Sequence, residues 1–579
     1  MTGLLKRILF FLLFSCVICV AYSQIGIGVN PPDPSAMLHV QDATKGLLIP
    51  RMTAAQRIDI QNPAEGLMVY QTDSPTGFWY FRSGQWINTF PSNGGRHTLV
   101  LTDSITNAEA QLKIANEVGP NTQEIRIMRC HNLTSVDLSM LTNSLDEIYI
   151  TDNNALQSVN LGNLTSIDGG IYVNNCPQLT TLNISSLKRI GQTFAGNIAG
   201  NGSYWGLNIT STGIQDINLP VVKEITGFTD IQNNPALTNL SMPQLTYSKM
   251  IRATGCPLLA STNLHALKNV GIFNIGGPNQ VATADFSSLT SVGAFALSSN
   301  QLSSVSFPVL TNVDNGITIS GIQLGAATAP VLQTCASLIV SSPQLSTVSA
   351  PLLTASRIQL TGGSLNAVNL NSLQTTSGIT ITANAGSLSS LTFPALQTAS
   401  FNNTSGINVS GIGTLSFPLL LKADAFTASQ ISSLSVPLLD TLKYRLEINN
   451  SPSLSALSFP ALKKSSGITI TNSGMTSVSF PAFITNYEYQ ASNYQIFISV
   501  NPNLTSISFP NFQVMYGYGY FDNNKLPSSQ VNALLAKFRT MSLSYVNLFL
   551  KQIPAAPPTG QGIIDKNYLI GQGVYVDTD

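Results

Sequence analysis

The chain has 579 residues, 27 Lys+Arg balanced by 27 Asp+Glu, and only 9% charged residues. Without a basic excess, electrostatic capture of nucleic acid or anionic lipid is excluded as a working principle, and no nucleic-acid partner is expected. A hydrophobic fraction of 43% excludes general disorder. The solvated surface must therefore be built mainly from Ser, Thr and Asn, which suits a secreted or cell-surface protein better than a cytosolic enzyme.

Lys6 and Arg7 precede an apolar run over residues 8–20, which is shorter than the ~20 residues a membrane helix needs. Ala21-Tyr22-Ser23 then sets small residues at positions −3 and −1 before Gln24, so residues 1–23 are expected to be a secretory signal peptide. A lipid anchor on Cys16 or Cys19 is the competing reading, but both cysteines lie inside the apolar run. No later stretch is long and apolar enough for a membrane helix, so the mature chain is expected to lack an integral membrane segment. Beyond the signal, Cys130, Cys176, Cys256 and Cys335 are too few for a disulfide framework, and without a C-x-x-C pair they predict no zinc site.

Residues 24–90 form a separate module of short strands broken by Gly and Pro turns. It runs Lys45-Gly46-Leu47-Leu48-Ile49-Pro50-Arg51-Met52-Thr53, Gln56-Arg57, Gly66-Leu67-Met68-Val69-Tyr70-Gln71-Thr72-Asp73, Gly77-Phe78-Trp79-Tyr80 and Trp86. This order resembles the N-terminal module of many exported bacterial surface and fibre-like proteins. The resemblance implies a structural or attachment element and a Gram-negative envelope or extracellular setting.

A period of about 22 residues fills the chain from 124 to 524, in about 17 units, with insertions near 192–206 and 484–496. Clear copies of its marker are Phe307-Pro308-Val309-Leu310, Phe393-Pro394-Ala395-Leu396, Phe417-Pro418-Leu419-Leu420 and Phe459-Pro460-Ala461-Leu462. Each unit holds two short pieces that alternate apolar residues with Ser or Thr, as half-buried strands do, and none has room for a helix of ten residues. Pro closes the first strand, where a missing N–H costs least. One unit cannot bury its apolar face alone, whereas stacked units can. The units resemble the receptor L-domain, a relative of leucine-rich repeats. The fold class expected is all-β: a right-handed parallel β-solenoid with a small N-terminal β module and helical end caps. The N-terminal cap is placed at 97–123, with Ala108, Leu112, Ala115 and Val118 on one helical stripe started by Thr106 or Asn107. The C-terminal cap and tail are placed at 525–579, with Val531, Leu534, Leu535 and Phe538 facing the core.

Catalytic chemistry is thin. His39, His97, His131 and His265 form no pair at ligand spacing, and no nucleophile elbow or phosphate loop is present. Asp424, Asp440 and Glu447 fall in successive units at unlike positions, which argues against a carbohydrate-cleaving solenoid. No enzyme activity and no cofactor are expected. Cys130, Cys176 and Cys256 each precede a repeat Leu by three residues, and units two apart are too distant for a bridge, so they read as small buried side chains. The sharpest site candidates are aromatic. Tyr516, Tyr518 and Tyr520 alternate with glycines ahead of inward Phe521, beside Phe497, and the insertions add Tyr204, Trp205, Tyr487 and Tyr489. Exposed Tyr and Trp suit contact with sugars or protein partners. The favoured expectation is that the helix at 529–539 covers the Tyr row. The competing one is an open grip for an extracellular protein or glycan. Function is read as non-catalytic adhesion or ligand binding through the solenoid, with a structural envelope or fibre component as the alternative and a carbohydrate-active enzyme third.

Overall fold

The structure is a computed structural model that describes residues 24–73, 76–88, 95–142, 145–191, 206–399, 406–486 and 495–579. The expected signal peptide lies outside the described residues, as do 192–205 and 487–494 within the expected insertions. The chain divides into two units, Met1–Gly95 and Arg96–Asp579.

In the larger unit, the alternation of apolar and polar residues does what period two requires. In the coil built by Ala456–Ser458 and Gly467–Ser473, Leu454, Leu457, Phe459, Leu462, Ile468 and Ile470 all turn inward and are buried. Ser458 and Thr469 turn outward. The next coil repeats the arrangement in register, Leu457 over Val478 and Ile468 over Ile496. Among the described residues all strand pairing in this unit is parallel, and the long strands join in one ladder from Thr98–Thr102 to Tyr575–Asp577. The result is a parallel β-solenoid of about 20 turns. Phenylalanines of successive coils stack inside it, as in Phe459, Phe480 and Phe509 at 5.3 and 5.1 Å.

Many of the long strands bend near their start, where the pairing slips by one residue, as at Ile225/Phe228 and Val313/Ile317. In the coil interrupted after Gly191 the strand is split there. Arg189–Ile190 and Gly206–Thr212 form two lanes, and both pair with Ser166–Cys176 on one side and Glu224–Gln232 on the other.

Several strands towards the two ends of the stack finish at a residue with positive φ, which reverses the chain, among them Asp152, Asn175, Asn233, Asn450, Asn472, Val500 and Asn523. Asn and Asp tolerate this conformation through local hydrogen bonding, and a β-branched residue does not. Val500, at φ 59° and 45% exposed, is the outlier. Left-handed backbone costs an L-residue roughly 1–2 kcal/mol. Val500→Asn, which copies Asn472 and Asn523, should therefore stabilise by about 1 kcal/mol. A thermal midpoint that fails to rise would remove the strain argument.

The next turn carries a buried column of small polar residues that satisfies the backbone between coils. Asn153 accepts from Cys130 N–H (2.9 Å) and donates to Ile127 C=O (2.8 Å). Asn234 does the same for Thr212 and Ile209, Asn501 for Ser473 and Ile470, and Asn524 for Asn501 and Ile498. Cys130, Cys176 and Cys256 sit in this column, each thiol donating to the carbonyl two residues earlier. The four described cysteines are free and buried.

The N-terminal cap helix, Asn107–Glu117, is started by a Thr106–Glu109 capping box. Of the expected stripe only Val118 is buried; Ala108, Leu112 and Ala115 are exposed, Leu112 at 66%, and Ala110 and Ile114 are covered instead. At about 100° per residue, Ala110 and Ile114 lie roughly half a turn from Leu112, so the buried face is nearly opposite that side chain. Helix Ser528–Arg539 buries Val531, Leu534, Leu535 and Phe538 as expected. The tail beyond it, expected as part of the C-terminal cap, adds strand Ser542–Phe549 and then a further coil of helix Gln561–Gly571 and strand Tyr575–Asp577. No helix among the described residues is long and apolar enough to cross a membrane.

The smaller unit contains a parallel strand pair, Ile25–Ile27 with Leu38–Val40. Its second sheet has four strands: Arg51–Met52, Met68–Gln71, Gly77–Arg82 and Gln85–Asn88. Its centre is polar. Arg57 is 7% exposed, lies 3.8 Å from the Trp79 ring and donates to Gln71 Oε1 at 2.8 Å. Val69 is the one buried apolar side chain among the described residues of this unit. Ile25, Ile27, Met37, Leu38, Leu47, Leu48 and Ile58 are each at least half exposed.

Candidate functional site

One outward column can be followed from coil to coil by strict pairing. Near the N-terminal end it reads Arg126, Tyr149, Tyr172, Asn208, Asp230, Arg252. Towards the C-terminal end it continues Thr380, Asn408, Thr427, Glu447, Thr469, and then becomes aromatic with Phe497, Tyr520 and Phe549. The rings follow the strand spacing, 5.1 Å from Phe497 to Tyr520 and 4.7 Å, nearly parallel, from Tyr520 to Phe549. Two residues earlier on the same strands runs a second column, Gln495, Tyr518, Asn547, Tyr575. Tyr518 leans on Tyr520 at 6.1 Å, and Tyr575 on Phe549 at 5.7 Å.

The Tyr row is not covered by the cap helix, which corrects the favoured expectation. The helix faces the interior, where Phe538 meets Phe521 at 5.5 Å. Tyr516, Tyr518 and Tyr520 lie on the opposite side of their strand from inward Met515 and Phe521, and Tyr518 is 47% exposed. A bulge where the register shifts between Tyr516 and Tyr518 places Gly517 at φ 75°. In the next coil the corresponding bulge holds Tyr545 at φ 56° and 97% exposed. A ring wholly in water on a backbone that costs roughly 1–2 kcal/mol contributes nothing evident to the fold.

Of the eight sequence candidates, Phe497, Tyr516, Tyr518 and Tyr520 come together here. Tyr204, Trp205, Tyr487 and Tyr489 lie outside the described residues. Sequence reasoning missed Tyr545, Phe549 and Tyr575 because the tail was not recognised as further coils. The alternation in Tyr545-Val546-Asn547-Leu548-Phe549 was the available signal. It also missed the stacked pair Tyr149 and Tyr172 at 4.8 Å. There Tyr149 donates to Glu147 at 2.7 Å, and burial with the Glu147 charge pushes the Tyr172 hydroxyl up to about 12.

No group of three or more His, Cys, Asp or Glu placed to hold a metal occurs among the described residues. Burial pushes the Cys130 and Cys335 thiols up to about 11, from 9.0 when solvated. Their contribution to stability is thus full below pH 9.0 and is lost as pH rises towards about 11, because only the unfolded chain releases those protons. The denaturant midpoint should fall across that window, and Cys335→Ala should flatten part of the fall. An unchanged slope would contradict the burial argument.

Residues 26–108 match the family model described as a phage tail like trimerisation region, a match that spans most of the small unit and the first strand of the larger one. No curated protein matches the chain. Among solved structures, YopM from Yersinia enterocolitica WA-314 is similar at 16% identity over 68% of this chain and 81% of that one, with a TM-score of 0.20, too low to carry an argument.

Proposed function

We propose that the chain is a non-catalytic, exported surface or fibre protein. In this reading its N-terminal module assembles three copies, and its solenoid presents a surface for adhesion to an extracellular protein or glycan. The observation that carries the reading is the inverted burial of the small unit, where a single buried Val69 stands against seven apolar side chains at least half exposed. A monomer rarely leaves so much apolar surface in water, and such surface marks an association site. The matched family's description, a trimerisation region, supports three as the number. Secretion rests on the signal-like residues 1–23, and adhesion on the open aromatic columns. Light scattering on the purified chain should give three times the chain mass, and a monomer at micromolar concentration would sink the assembly reading.

A further inference from the structure

We infer that the two aromatic columns of the last coils bind a neutral, extended, β-linked glycan that lies across the strands, along the long axis of the solenoid. The inference rests on the adhesive reading of the solenoid and names its ligand class.

The first argument is alternation. The column Gln495, Tyr518, Asn547, Tyr575 places an amide, a ring, an amide and a ring on four successive coils. Coils are separated by ~4.8 Å, so the two rings stand roughly 10 Å apart. A pyranose in a flat β-1,4-linked chain advances by about one such strand spacing. Alternate sugars then meet a ring, and the intervening sugar lies over Asn547. The apolar C–H face of a pyranose matches an aromatic platform. Its equatorial hydroxyls match a carboxamide, which both donates and accepts.

The second argument is availability. Tyr518 and Tyr575 are 47% and 56% exposed. Neither the amides of Gln495 and Asn547 nor the hydroxyls of Tyr518, Tyr545 and Tyr575 make a side-chain hydrogen bond among the described residues. The ridge Phe497, Tyr520, Phe549 supports both rings from the side. Supported rings lose little freedom on binding. Tyr545, fully exposed on strained backbone, stands at the bulge beside this strip.

The third argument is charge. Neither the rings nor the amides of the column Gln495, Tyr518, Asn547, Tyr575 are ionic, and at its margin Lys551 and Asp577 pair with each other at 2.9 Å. A charged polymer finds no counter-charge here. A repeating surface of this kind fits a repeating ligand better than a single protein epitope, whose energy concentrates in a central pocket.

The test is calorimetric titration of the full chain with cellohexaose, chitohexaose and maltohexaose, beside binding to an array of extracellular proteins. At least one β-1,4 hexasaccharide should bind, and its disaccharide and the α-linked maltohexaose should each bind at least about tenfold more weakly. Tyr518→Ala with Tyr575→Ala should weaken binding by at least about tenfold. Gln495→Ala with Asn547→Ala, which removes only unpaired surface amides and leaves the fold intact, should also weaken it. Tyr149→Ala with Tyr172→Ala, far along the stack in the column of Phe497, Tyr520 and Phe549, should leave affinity unchanged. The inference is overturned if no hexasaccharide binds folded protein, if maltohexaose binds equally well, or if neither strip variant changes affinity. Capture of an extracellular protein without any glycan would overturn it and leave the adhesive reading standing, and binding of neither would remove both.

Discussion

Replacing Leu47 and Leu48 together by Asp should convert the purified chain from three copies to one, while the solenoid keeps its melting temperature. Both leucines are largely in water, 64% and 79% exposed, so their loss removes no intrachain packing. In a threefold assembly six leucines would be covered, each contributing about 1.5–3 kcal/mol, and the sum is on the order of 10 kcal/mol. Six carboxylates in their place would add repulsion. Because the two leucines lie in the small unit, circular dichroism of the long strands should not change. A wild-type trimer that survives the double substitution would move the interface to the strand pair Ile25–Ile27 and Leu38–Val40 or to Ile58.

Asn501→Leu should cost about 3–5 kcal/mol, because it strips partners from both sides of one turn. Its carboxamide accepts from Ser473 N–H at 3.1 Å and donates to Ile470 C=O at 2.9 Å and Ser499 C=O at 3.0 Å, at 0% exposure. Leucine fills the space and satisfies none of these groups. Phe480→Ala, in the middle of the Phe459–Phe480–Phe509 stack, should cost a similar ~3–5 kcal/mol through its cavity. The two differ in kind: Asn501→Ser, which keeps a hydroxyl, should recover part of the loss, and no small residue should recover Phe480→Ala. Each coil touches only its neighbours, so amide exchange should accelerate in the coils around Asn501 and stay slow near Leu240. Uniform acceleration along the whole stack would show instead a single cooperative unit.

The stack itself was legible from local chemistry. Phe-Pro-x-Leu and Ile-x-Ile alternation specify two inward faces, and one coil's faces have no other cover than the next coil. The αL turns were legible wherever Asn stands, as at Asn450 and Asn472, but not at Val500, where tertiary pairing overrides residue preference. The N-terminal cap was read correctly at Val118 but not along the helix, because Ala108, Leu112 and Ala115 form as regular a stripe as Ala110 and Ile114, and only contact with the coil decides between them. The aromatic site was half legible. Alternation placed the Tyr row outward, but whether a helix covered it depended on which side of the strand that helix packs. Tyr545, Phe549 and Tyr575 were hidden because coils that replace a strand with a helix lose the Pro marker. The small unit's burial was not legible at all, since Leu47 and Leu48 look like core residues in any sequence window.

The bend near the start of many long strands has a consequence for how such a chain can change. Residues 192–205, 400–405 and 487–494 all enter the chain at this bend: between Ile190 and Leu207, Ala399 and Ile407, and Thr485 and Ile496. On both sides of each entry the neighbouring coils keep their pairing. The ladder therefore behaves as a ruler whose marks do not move when length is added beside it. A foreign loop, an epitope or a second recognition element can be spliced into any coil at this corner, at a height along the rod set by the number of coils beneath it.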